Sequence, residues 1–276
     1  MLLANLISIT PIIISSTSFL YIVTTISSGF GNGNGIGAVI KDSNKGYFTQ
    51  NVPYLQIVAS SFRDLKKNAT YRGHFERLAL NWKIQNRSAL EDEMQKKNAL
   101  DFIRLEDLHC DQNINSIINV VDTGDDDPGR QYRNGRIYTF ALSNPNGQEM
   151  HSSPKLYGAK FFVMLDGSAG DDIRNPDNVP TSRNSNVIQE DLNDYNRIMD
   201  GVNATILQYD FNTHNLRPIA VLNQSPDTSI PKAGEWESSG IIDVSKIFGK
   251  GIWLLDVQAH TINEGGQLLL MTVEKS

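Results

Sequence analysis

Five acidic motifs in this chain stand beside runs of strand-forming residues: Arg104-Leu105-Glu106-Asp107, Asn175-Pro176-Asp177-Asn178, Gln189-Glu190-Asp191, Glu237-Ser238-Ser239-Gly240 and Asp256-Val257-Gln258-Ala259-His260. Carboxylates at corresponding places in successive sheet units can converge on one point, where they would hold a hard cation or an anionic substrate bound through one. Packed together without a cation they repel one another and raise their own pKa values. Oxygen-rich sets of this kind favour Ca2+ or Mg2+ over zinc. Each motif also has a plain structural reading. Glu106-Asp107 suits a hydrogen-bonding pair at a sheet corner, Asp177-Asn178 after Pro176 is a good Asx turn, and His260 suits a hydrogen-bonded strand histidine. Glu190-Asp191 sits at a strand end, where ligand sites form. Asp125-Asp126-Asp127-Pro128-Gly129 lacks the alternating spacing of a calcium loop and reads as a solvated turn.

The elements that must position these residues are bounded first by composition. The chain has 276 residues, is 39% hydrophobic and carries a formal charge of -6, enough for one sizeable globular domain and no reason to demand two. The acidic balance, with Lys and Arg scattered along the chain, argues against a nucleic-acid partner. A single cysteine, Cys110, excludes an intrachain disulfide framework and any CxxC zinc site, and reads as a buried or partly buried free thiol.

Met1 to Phe30 contains no charged side chain and is rich in Leu, Ile, Ser and Thr. That length suits a secretory signal or a membrane anchor, and so a secreted or membrane-anchored protein, although the basic start of a signal peptide is missing and Pro11 interrupts the run. An equal alternative is a start out of register with the ancestral gene. Gly29 to Gly37 has glycine at every second position, which cannot satisfy GxGxxG and reads as a linker. The expected organisation is therefore a segment over 1–45 and a folded domain over 46–276.

From about residue 47 strand signals recur with turn residues between them. Tyr54 to Ala59 and His74 to Leu80 read as partners across a turn, and Arg87 to Asn98, with Leu90 and Met94 four apart, is the one candidate helix. Three longer units follow. The first runs from Glu106-Asp107 through Ser116–Asp122, Gly135–Leu142 and Lys160–Leu165. The second runs from Asp177-Asn178 through Asn186–Asp191, Ala204–Asp210 and Pro218–Leu222, and the third from Glu237 through Gly251–Asp256 to Gly266–Val273. Trp253 and Phe161-Phe162 read as core. The plan predicts an all-β chain of four-stranded antiparallel propeller blades, whose inner-strand loops gather side chains from distant parts of the sequence at one mouth.

Phe102-Ile103-Arg104-Leu105-Glu106-Asp107, Gly135-Arg136-Ile137-Tyr138, Pro176-Asp177-Asn178, Ile188-Gln189-Glu190-Asp191, Glu237 to Val244 and Trp253 to His260 together resemble the C-terminal half of the PhoX-like propeller proteins, which include alkaline phosphatases and phytase-like or esterase-like secreted proteins. The resemblance covers roughly 46–276, keeps the motif order, and extends to the closing Gly265-Gly266-Gln267-Leu268-Leu269. It implies a six-bladed type of propeller with calcium, and in the phosphatases an iron bridged to calcium. By motif it makes Glu106, Asp107, Asn178, Glu190, Asp191 and Glu237 metal-site candidates. Glu106, Glu190 and His260 become catalytic candidates, with His260 orienting a phosphate or a water. The family's N-terminal half, with the cysteine and glutamates of its iron-calcium centre, has no counterpart here, and Cys110 is not its equivalent. About four blades remain, so the ring is expected to be partial, with open blade edges that invite self-association or a complementing segment.

Two functions follow from different classes. One is a Ca2+-dependent hydrolase acting on a small phosphate or other ester, in which the cation polarises the phosphoryl oxygen. The other is a non-catalytic, calcium-stabilised propeller binding module or a truncated paralogue that keeps the scaffold.

Overall fold

Period-two alternation of apolar side chains becomes strand after strand in the computed structural model, which describes residues 7–13, 18–25, 36–42, 52–57, 65–78, 99–100, 102–111, 114, 116–125, 132–143, 155–192, 202–222, 236–259 and 266–273. The chain divides into two compact units, Met1–Asp122 with Ile137–Leu165, and Thr123–Arg136 with Asp166–Ser276.

The first unit holds β1 (Ile7–Ile13), β2 (Ser18–Thr25), β3 (Ile36–Asp42), β4 (Val52–Ile57), β5 (Thr70–Leu78), β6 (Leu105–Cys110), β7 (Ile117–Asp122), β8 (Arg136–Ser143) and β9 (Lys155–Asp166). They form one nine-stranded sheet in the order β1-β2-β3-β4-β5-β9-β8-β7-β6. The hairpin expected around Tyr54 and His74 is present, with β4 antiparallel to β5 and Tyr54 opposite Glu76. It is not a separate partial blade, because β5 continues the sheet by pairing with β9, Thr70 opposite Phe162. The apolar N-terminal run likewise supplies strands. Pro11 lies in β1, an edge strand of this sheet, which is where a residue without an N–H to donate is tolerated. Among the described residues no helix is long and apolar enough to cross a membrane. The candidate helix at Arg87 to Asn98 lies outside the described residues.

Aromatic side chains knit β8 and β9 to the strands beside them: Phe102 meets Tyr138 edge-on at 5.2 Å between centroids, and Phe161 stacks on Phe140 at 4.9 Å and on Tyr71 at 5.3 Å. Phe161 is fully buried, as expected of core, whereas Phe162 is 39% exposed because the next residue of a strand points to the other face.

The second unit contains two antiparallel sheets. One is the four-stranded meander β10 (Pro176–Asn178), β11 (Ser185–Glu190), β12 (Thr205–Asp210) and β13 (Leu216–Val221). The other is three-stranded, β14 (Trp236–Asp243), β15 (Ile252–Ala259) and β16 (Gly266–Thr272), with a single helical turn α1 (Ser245–Phe248) between its first two strands. Val187, Ala204, Ile206 and Leu222 of the first sheet share a core with Ile241, Trp253 and Leu255 of the second. Trp253 is core as the pattern predicts. The fold is thus all-β with antiparallel sheets, and among the described residues no sheet closes on itself.

Candidate functional site

The most buried of the described candidate residues is Glu190, the last residue of β11. That strand is buried along its whole length although four of its six residues are polar, Ser185, Asn186, Gln189 and Glu190, so each must find partners or remain unsatisfied. Glu190 finds three. Its Oε1 accepts from the Arg174 amide at 2.7 Å, and its Oε2 accepts from the Thr205 amide at 3.1 Å and from the Thr205 hydroxyl. Burial outweighs these donors and pushes the carboxyl up from its ordinary 4.5 to about 7.

An unanticipated counterpart sits in the first unit. Asp122 ends β7 as Glu190 ends β11, both second strands of their meanders. Its Oδ2 accepts from the Ile103 amide at 3.0 Å and its Oδ1 from the Arg104 amide at 2.9 Å, just ahead of β6. In both meanders a buried carboxylate closing the second strand grips the backbone that leads into the first. The signal in the sequence is a strand that ends on an acid, with an arginine shortly before the preceding strand: Arg104 with Asp122, Arg174 with Glu190.

A polar knot surrounds the entry to β10. Asn175, buried and in the left-handed region at φ 45, donates its side-chain amide to the carbonyls of Thr123 at 3.1 Å and Arg133 at 2.8 Å. Its own carbonyl accepts from the Asp191 amide at 2.9 Å. Arg136 and Asp166 form a buried ion pair, with Nε and Nη2 each 2.8 Å from Oδ2, while Oδ1 accepts from the Ser168 amide at 3.0 Å. The guanidinium also lies 4.2 Å over the Tyr132 ring. The sequence motif around Pro176 was therefore informative, but the structural weight falls on Asn175 and not on Asn178.

The remaining candidates are spread over both units. Glu106 and Asp107 are half-buried on β6 in the first unit, and Glu106 lies 3.3 Å from Arg104 Nε. Asp177 and Asn178 are part of β10 rather than a turn, and the Asn178 amide donates to the Asp177 carboxylate. Asp191 directly follows β11. Glu237 on β14 accepts from Ser239 Oγ at 3.1 Å and from Gln258 Nε2 at 2.9 Å. His260 and residues 126–129 lie outside the described residues. Cys110 is partly buried, as expected, and burial together with the neighbouring Asp111 pushes its thiol up to about 11.

No protein family, no curated protein and no solved structure matches this chain. The residues themselves must therefore say whether they fit the calcium or iron that the motif resemblance implies. Among the described residues no three His, Cys, Asp or Glu side chains stand together as a metal-holding group. Both oxygens of Glu190 and both of Glu237 already accept hydrogen bonds from protein donors. These carboxylates fit the backbone and side-chain donors around them and do not fit a shared cation.

Proposed function

We propose that this chain is a PhoX-like, propeller-type scaffold that acts by binding rather than by turnover, its strand-end acids serving the architecture. The observation that carries the reading is the hydrogen bonding of Glu190, whose oxygens are taken by the Arg174 and Thr205 backbones of its own meander. Its repetition at Asp122 gives the recurrent acids a reason to recur that needs no substrate. Three successive antiparallel meanders support the reading, β6 to β9 within the nine-stranded sheet, β10 to β13, and the three-stranded β14 to β16, since a propeller is assembled from units of this kind.

One observation favours the metal-dependent phosphomonoesterase or esterase instead. A buried carboxyl held at about 7 is poised for general acid or base work near neutrality. A chromogenic phosphate ester, assayed with Ca2+ and with a chelator, separates the two. The binding reading expects no turnover above the uncatalysed rate from the wild type or from Glu190→Gln. Hydrolysis that disappears on chelation and in Glu190→Gln would overturn it.

A further inference from the structure

Among the described residues, the edge strand β16 carries no charge, proline or bulge that would keep such an edge from pairing. The Val273 amide donates to the Gly251 carbonyl at 2.9 Å, and the ladder from Ile252 opposite Thr272 to Gln258 opposite Gly266 runs without a register shift. Alternation along the strand then turns the backbone N–H and C=O groups of Leu268, Leu270 and Thr272 away from β15, toward the open edge. From Gly265 to Val273 there is no charge and no proline, and edge strands are usually blunted by charge, proline or a bulge.

The side chains are equally unguarded. Leu268 is 72% and Leu270 56% exposed. Leu270 stands opposite Leu254, and Leu254 opposite Ile242, itself 55% exposed, so one apolar row crosses the outer face of the sheet and stops at the edge. On the other face of β16 only the C-terminal end is covered, where Met271 and Val273 pack on the shared core, while Leu269 is 41% exposed.

We infer that β16 pairs antiparallel with the β16 of a second copy, across a two-fold axis through Leu270. Such an axis sets Leu270 opposite its mate and Leu268 opposite Thr272, so that the outward backbone groups of each strand meet those of the other. The row Ile242, Leu254, Leu270 is then continued by the same three residues in reverse, an isologous match in which a neutral strand brings no like charges together. A charged peptide would find no complementary charge on this edge. The result is a six-stranded sheet shared by two copies. One strand pair buries less than the roughly 1,600 Å2 of a standard interface, so the dimer is expected to be a weak one, and the test spans concentrations from about 1 to 500 micromolar.

Sedimentation of the full chain across that range should show the mass doubling. Leu270→Cys should be joined to its mate by a short bifunctional thiol reagent spanning about 8 Å, because an antiparallel hydrogen-bonded pair holds its Cα atoms about 5.5 Å apart, with the Cβ atoms too far apart for a direct disulfide. Leu268→Cys should not, its two copies standing about 13 Å apart along the strands. Wild type, with Cys110 alone, is the baseline. Leu270→Lys should weaken dimerisation at least about tenfold by opposing two charges on the axis, with the far-ultraviolet circular dichroism unchanged. A wild type that remains monomeric throughout, equal cross-linking at 268 and 270, or a dimer that survives Leu270→Lys would overturn the inference.

Discussion

Replacing Glu190 with glutamine isolates the cost of burying its charge. The carboxyl rises from 4.5 unfolded to about 7 folded, and at about 1.4 kcal/mol per unit the fold disfavours the ionised form by about 3 kcal/mol. Below pH 4.5 both states are protonated and nothing is lost. Between 4.5 and about 7 the unfolded chain has released a proton that the folded chain still holds, so stability falls as pH rises, and above about 7 the loss is complete. Glutamine cannot ionise, so the difference in unfolding free energy, wild type minus Glu190→Gln, should drop by about 3 kcal/mol from about pH 4 to about pH 8. The absolute offset between the two proteins is a separate quantity: with its carbonyl facing Thr205, the glutamine amide would confront the Arg174 N–H, a donor against a donor. Urea unfolding followed by the fluorescence of Trp253, buried in the same unit, gives the measurement. A difference that is flat with pH, or that grows toward alkaline pH, would refute the assignment of burial as the dominant influence on Glu190.

Asp122→Ala removes the acceptor of two backbone amides ahead of β6 and should cost roughly 2–5 kcal/mol in the same denaturation assay, with Asp122→Asn milder because its carbonyl can still serve one of them. Arg136→Met strands the buried Asp166 charge and should cost about 3–5 kcal/mol, while the double change Arg136→Met with Asp166→Leu should recover most of that loss; a double variant no better than the single would show that the ion pair is not what the site depends on.

The strands were legible in the sequence because alternation and turn residues are local. Isoleucines, valines and aromatics mark β7, β8 and β12 within a residue of their ends, whereas β9 begins five residues before the expected Lys160 and β15 runs three past Asp256. Sheet membership was not legible, since it depends on which edges meet. Nothing in Thr70 to Leu78 says that β5 pairs with β9 rather than opening another blade, and the apolar start of the chain has a composition that suits a strand or an anchor equally. The site was half legible. Acids at strand ends were visible, Glu190 among them, and the sequence suggested a ligand role for it where the structure shows a buried carboxyl bonded to Arg174 and Thr205. Their partners were not visible, because a backbone amide has no side chain to leave a mark in the sequence: the donors to Glu190 and Asp122 are Arg174, Thr205, Ile103 and Arg104, whose identities matter less than their positions. Asn175 was named in its motif but given no role for a similar reason, its left-handed backbone being a property of the loop it closes.

The paired grips of Asp122 and Glu190 are short in sequence. The bonds at Asp122 span 18 and 19 residues and those at Glu190 span 15 and 16. Closing loops of that size costs little chain entropy, so each meander can be drawn shut early, before contacts between distant strands are made. Each grip is then the catch of a separate cooperative segment, and hydrogen exchange should release the Ile103 and Arg104 amides together, on a schedule independent of those of Arg174 and Thr205.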